Sequence, residues 1–176
     1  MDLALLPTIS RCWCRQGQER KVETPGCNEK RYGAGAANWM TGELVWAISD
    51  HKDNALFRDV PNQLLERHPV VDGGPVRRIC VVIDNYSPPD CPRQAHYAKK
   101  VLELVAQCED HLELVPLPTY SLILSPMDRL CKHMPRQVTH NHFFRTIKAL
   151  LTAAQWFFEE TAAHPAEVMI VARLAA

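Results

Sequence analysis

Hydrophobic and polar positions change their period several times along the chain. Between Arg11 and Arg31 there is no period. The residues are mostly polar, broken by Gly17, Pro25 and Gly26, and read as loop and turn with one short extended piece around Lys21 to Glu23. Tyr32 to Ala37 is small and apolar, and Glu43 to Ser49 carries Leu44, Val45, Trp46 and Ile48, so both read as strands. The Asn38 to Gly42 stretch between them has the length and the glycine of a hairpin loop, which predicts an antiparallel pair. From Asn54 the apolar positions Leu56, Val60, Leu64 and Leu65 share one helical face, and Pro61 inside that pattern predicts a kink or a split.

After the breakers Val71 to Pro75, the run Arg78 to Ile83 is nearly continuous β-branched hydrophobe and predicts a strand buried on both faces, ending at Asp84. Ser87 to Pro92 reads as a loop. Gln94 to Cys108 is helical in period, and Leu112 to Leu117 is a further strand stopped by Pro118. Ser125-Pro126 is a helix start, with serine as cap and proline in the first turn, and Pro135 limits that helix to a few turns. Phe143, Ile147, Leu150, Leu151, Ala154 and Phe158 form one stripe of a long amphipathic helix. The order strand, strand, helix, strand, helix, strand, helix, helix predicts an α/β fold, a mixed sheet with helices on its faces. No repeat, low-complexity tract or boundary divides the 176 residues, which suit one domain.

Composition narrows the function more than the fold. Twenty basic residues balance twenty acidic ones, with 23% charged and 47% hydrophobic residues. That excludes a disordered tail or a polycation and argues against sequence-independent DNA binding driven by overall charge. Local basic groups remain: Arg11, Arg15, Arg20, Lys21, Lys30 and Arg31 on the polar segment, and Arg129, Lys132, His133 and Arg136 on the short helix. They fit either a local basic face or a solvated surface. Seven irregularly scattered cysteines suggest a reducing compartment, and the apolar run within Met1 to Ser10 lacks the basic start and length of a signal peptide. Apolar stretches break within about ten residues, short of the roughly 18 of a membrane span. The expectation is a cytoplasmic protein without a membrane segment.

Candidate chemistry is sparse. Asp84 stands at the carboxyl end of the most hydrophobic strand, where α/β sheets collect ligand sites, and a turn or helix cap explains it equally. Asp128 is the third residue after Ser125, where a capping pattern at a helix N-terminus accounts for it without catalysis. Cys12, Cys14, Cys27, His140 and His142 lack structural zinc spacing, and no cysteine is marked as a low-pKa nucleophile. Gly33 and Gly35 make only a GxG, without a phosphate-cradling helix behind it. Trp13, Trp39 and Trp46 read as packing residues.

Taken together, Val82-Ile83-Asp84-Asn85-Tyr86-Ser87, Leu117-Pro118-Thr119-Tyr120-Ser121 and Ser125-Pro126-Met127-Asp128-Arg129-Leu130 resemble the catalytic core of mariner-related bacterial insertion-sequence transposases, the DDE superfamily endonucleases. Leu5-Leu6-Pro7, Gly17-Gln18, Thr24-Pro25-Gly26, Lys30-Arg31-Tyr32, Gly42 to Trp46 and Gln137 to Asn141 also resemble the family, in the same order. The resemblance implies a ribonuclease-H-like mixed sheet flanked by helices. In it three acids hold two divalent cations, magnesium or manganese, for DNA cleavage and strand transfer. Asp84 matches the second acid. Asp128 stands where the family usually has Glu.

The same resemblance implies losses. The first catalytic strand is expected to be missing for most of its length, together with its Asp, since Asp2 is offset from that position. No N-terminal helix-turn-helix domain is expected within 1–176. Leu122-Ile123-Leu124 departs from the family pattern, Cys131 replaces an aromatic, and Pro88 to Pro92 replaces a basic helix start. The expectation is therefore a truncated, inactive copy. Its partners would be transposon-end DNA, through Arg129, Lys132 and Arg136, and a second copy or a full-length transposase. The alternative is a non-catalytic DNA-binding or oligomerisation module that modulates such a transposase.

Overall fold

The computed structural model describes residues 1–19, 21–70, 78–83, 99–108, 111–118, 121 and 125–172. β1 (Asp2–Ala4), β2 (Lys30–Ala37) and β3 (Leu44–Ser49) form an antiparallel sheet in the order β1-β2-β3. The predicted hairpin joins β2 to β3. Asn38 Oδ1 accepts from the Met40 and Thr41 amides, and Gly42 N–H donates to the Asn38 carbonyl at 2.9 Å. Gly42 has φ 74°, a left-handed conformation that glycine adopts without steric cost. β1, which periodicity does not announce, pairs Asp2 with Tyr32, Leu3 with Arg31 and Ala4 with Lys30. No strand forms at Lys21 to Glu23.

β4 (Ile79–Ile83) and β5 (Leu112–Pro116) form a parallel pair with Ile79 opposite Leu112. Antiparallel and parallel ladders thus both occur, as a mixed α/β arrangement requires, but no pairing among the described residues joins the two sheets. The expectation that β4 is buried on both faces is not met. Ile83 is buried while Val82 is 59% exposed, and Cys80, Glu113 and Val115 lie open beside it. α2 (Lys99–Gln107) packs against β5, and burial alternates because, among the described residues, one face is covered. Of the predicted helix from Gln94, residues 94–98 lie outside the described residues.

α1 (Asn54–Arg67) starts at Asp53, whose carboxylate accepts from the Ala55 and Leu56 amides at 3.1 Å each. Pro61 does not split it: the helix is continuous and Pro61 is buried, so packing of the ring offsets the one lost backbone bond. α3 (Pro126–Val138) likewise runs past Pro135, whose carbonyl accepts from the Thr139 and His140 amides at its end. α4 (Ile147–Ala163) begins at the Thr146 cap, so Phe143 lies outside the helix its spacing assigns it to. The chain first turns through Asn141 at φ 56°. α5 (Pro165–Val171) follows directly, without a predicted counterpart.

The first sheet is covered on both faces. α1 lies against β2 and β3 and buries Leu56 and Val60. On the other face Leu3 and Leu44 pack with Leu130, Met134, Leu150, Phe158 and Val168 of α3, α4 and α5. Trp46 stacks on Phe158 with ring centroids 5.2 Å apart, as a packing role requires. Trp13 and Trp39 do not pack. They sit on loops, 101% and 68% exposed, where no layer reaches them.

Candidate active site

The first turn of α3 brings Met127 onto the sheet, and Asp128 follows it. Ser125 Oγ accepts from the Asp128 amide at 3.3 Å, Pro126 fills the first turn, and the carboxylate lies where the helix dipole favours negative charge. Asp128 is half-buried. Its Oδ2 is 2.5 Å from Nζ of Lys132 one turn on, an i,i+4 ion pair.

Gly35 determines how closely this turn approaches. A Cβ there would lie 2.9 Å from the Val45 carbonyl oxygen, a backbone atom of β3, and 2.8 Å from Met127 Cε, whose flexible end would have to move aside. Spacing alone marks Gly33 and Gly35 as a phosphate-loop fragment without consequence, whereas their use is close packing. Met1 lies over Gly33 in the same way.

Asp2 takes no part in this site. It pairs with Tyr32, and side chains alternate along a strand, so it sits on the face opposite that of Gly33 and Gly35. There it pairs with Lys52 at 3.0 Å, beside the start of α1. Asp2 and Asp128 are thus separated by the sheet. Ile83, the last residue of β4, is buried opposite Pro116. Asp84, which follows it, lies outside the described residues.

Arg129, Lys132 and Arg136 differ in availability. Arg129 Nη1 donates to the Ala172 carbonyl at 2.7 Å and ties α3 to the end of α5. Lys132 is engaged by Asp128, and Arg136 is exposed in the last turn. Among the described residues no three His, Cys, Asp or Glu side chains come together as metal ligands. Cys12, Cys14 and Cys27 are exposed free thiols. No helix among the described residues is long and apolar enough to cross a membrane.

A family model described as DDE superfamily endonuclease matches residues 4–151. Over 165 residues the chain is 26% identical to the uncharacterized 39 kDa protein of insertion element IS630 from Shigella sonnei, covering 94% of this chain and 44% of that protein. The Mos1 mariner paired end complex with Mn superposes with a TM-score of 0.62 at 13% identity, over 98% of this chain and 52% of that one. A pre-cleavage Mos1 transpososome gives 0.61 at 12% identity, over 99% and 51%. The chain spans about half the length of the relatives it matches.

Proposed function

The chain belongs to the DDE superfamily endonucleases and has a ribonuclease-H-like fold, and from this we propose that it is the catalytic-core portion of a transposase-related protein of an insertion element. The ancestral reaction is magnesium-dependent cleavage of transposon-end DNA followed by strand transfer. The observation that carries the assignment is the seat of Asp128 in the first turn of α3, next in the chain to Met127, which packs over Gly35. Asp84 and Asp128 are the carboxylates assigned to the metal, since hard oxygen donors suit magnesium or manganese. A cation at Asp128 competes with the ammonium of Lys132, which holds Oδ2.

The chain is inactive by itself on this reading. Asp2 points to the face of the sheet away from α3 and does not serve as the third acid. Asp in place of Glu at 128 also withdraws the carboxylate by one methylene, and a displacement of about 1 Å can cost on the order of 100-fold in rate. Residues 1–176 are read as one catalytic-core unit, in a reducing cytoplasm that suits the free thiols at 12, 14 and 27. The exposed Arg136 favours the second reading, a non-catalytic module that binds DNA or assembles with a full-length relative.

A supercoiled-plasmid assay with magnesium or manganese tests both. No nicking is expected from the chain alone. Nicking that disappears in Asp84→Ala overturns the inactive assignment, and nicking that survives both Asp84→Ala and Asp128→Ala overturns the site. A gel shift with transposon-end DNA that weakens in Arg136→Ala supports the second reading, and no shift removes it.

A further inference from the structure

Ser10 and Arg15 fix the two ends of a short exposed segment. Asn141 holds Ser10 through both its amide and its carbonyl, at 3.0 Å each. At the other end Gln18 N–H donates to the Arg15 carbonyl at 3.0 Å, closing a turn that Gly17 completes at φ 81°. Between these points runs Arg11-Cys12-Trp13-Cys14, with every side chain exposed and both thiols free.

One residue separates Cys12 from Cys14, so their Cα atoms are at most about 7 Å apart. A disulfide spans about 4.4–6.8 Å between Cα atoms. Residues 11–14 belong to no helix or strand, and no described residue bonds their backbone, so the small contraction breaks no hydrogen bond. An accessible thiol beside a second, resolving thiol converts a transient adduct into a ring. Arg11 and Arg15 flank the pair, exposed and without an ion pair among the described residues, which favours a reagent that carries carboxylates. We propose that Cys12 and Cys14 form a modification site for small anionic disulfides, and that the exchange ends in a disulfide between the two.

One of the thiols, as its thiolate, attacks a sulfur of the reagent. A mixed disulfide forms, and the reagent thiolate that leaves takes up the proton. The neighbouring thiol then gives up its proton, attacks the protein sulfur of the mixed disulfide and expels the second reagent thiolate. Two protein thiols are oxidised and one reagent disulfide is reduced to two thiols. The second step is intramolecular, over the shortest of linkers, and outruns a second reagent molecule. Exposed disulfides are readily reduced, so the pair stays open in a reducing compartment and closes when the disulfide pool rises. Cys27 is equally free and exposed but has no cysteine beside it, so it stops at the mixed disulfide. The inference uses neither the metal site nor DNA.

Excess glutathione disulfide on the reduced 176-residue chain tests it, with the remaining thiols then blocked by N-ethylmaleimide and the peptides mapped by mass spectrometry. Trypsin, cutting after Arg11 and Arg15, releases Cys12 and Cys14 in one peptide, and cutting after Lys21 and Lys30 releases Cys27 in another. The first should lack two hydrogens and carry no glutathione; the second should carry one glutathione. In Cys12→Ser and in Cys14→Ser, exposed positions where no packing is lost, the remaining thiol should keep its glutathione. Ring closure by glutathione disulfide should slow about threefold between roughly 0.01 M and 1 M salt, while closure by neutral hydroxyethyl disulfide should not. Unreacted thiols, glutathione retained on the first peptide, a disulfide from it to another cysteine or another chain, or the same salt response with both reagents each overturns the proposal.

Discussion

Replacing Gly42 with alanine probes how α5 holds the site, and the structure supplies its own control. At φ 74° an alanine pays the left-handed penalty, about 1–2 kcal/mol. Its Cβ would also fall inside van der Waals contact of the Pro165 carbonyl oxygen and 2.9 Å from the carbonyl carbon. These are backbone atoms that move only if α5 moves, an overpacking cost of about 1–3 kcal/mol. Gly26 has nearly the same backbone angle, 77°, and a methyl group added there would meet nothing within 4 Å. Gly26→Ala should therefore cost only the first amount. Gly42→Ala should lose about 3 kcal/mol in urea denaturation and about 6 to 12 °C in Tm for a chain of this size. The difference between the variants measures the docking of α5, and through the bond from Arg129 to Ala172 it bears on where α3 holds Asp128. Equal losses in the two variants would refute the reasoning.

Three further outcomes follow from single contacts. Lys132→Met frees the Asp128 carboxylate and should tighten Mn2+ binding about three- to fivefold, read by calorimetry or Mn2+ EPR, as suits a partly exposed ion pair worth at most about 1 kcal/mol; Asp128→Ala should abolish the gain. Phe158→Ala empties a buried position stacked on Trp46 and edge-on to Phe157, and should cost about 3–5 kcal/mol in the same denaturation assay. His164 holds its proton above the ordinary 6.5, first because its ring donates to the Glu160 carbonyl and then because the carboxylates of Glu160 and Glu167 lie near. A raised folded pKa means the stabilisation is complete below the unfolded value and lost as pH rises through the folded one. An NMR titration should find His164 titrating above 6.5, and His164→Ala should remove that part of the pH dependence.

Local chemistry made much of the fold legible. The hairpin was readable because Asn38 and Gly42 are the residues a tight turn requires, and α3 because Ser125 and Pro126 cap and start it. The misreadings share a cause, which is that tertiary packing outweighs a local rule. Pro61 and Pro135 stay inside helices because burial and the remaining bonds outweigh one lost donor. Val82 faces solvent because a β-branched run cannot report how many layers cover it. Trp13 and Trp39 are exposed because aromatic character says nothing of loop placement. Within the site, Asp128 was visible as a capping pattern and as part of a resemblance. Gly35 was not, since its role depends on Met127, about ninety residues away in the chain and brought near only by folding.

The clamp at Asn141 has a consequence in time. Its amide donates to the Thr8 carbonyl, and its side chain both accepts from the Ser10 amide and donates to the Ser10 carbonyl, across 131 residues of sequence. On a ribosome adding about 5–20 residues per second, the first ten residues wait about 7 to 26 s for that partner to emerge. Leu3 and Leu5, fully buried in the finished protein, lack their core partners on α3 and α4 for most of that wait. Until α3 and α4 arrive, β1 is held by its pairing with β2 alone, which leaves the Leu3 and Leu5 face open to capture by a chaperone or a neighbouring nascent chain.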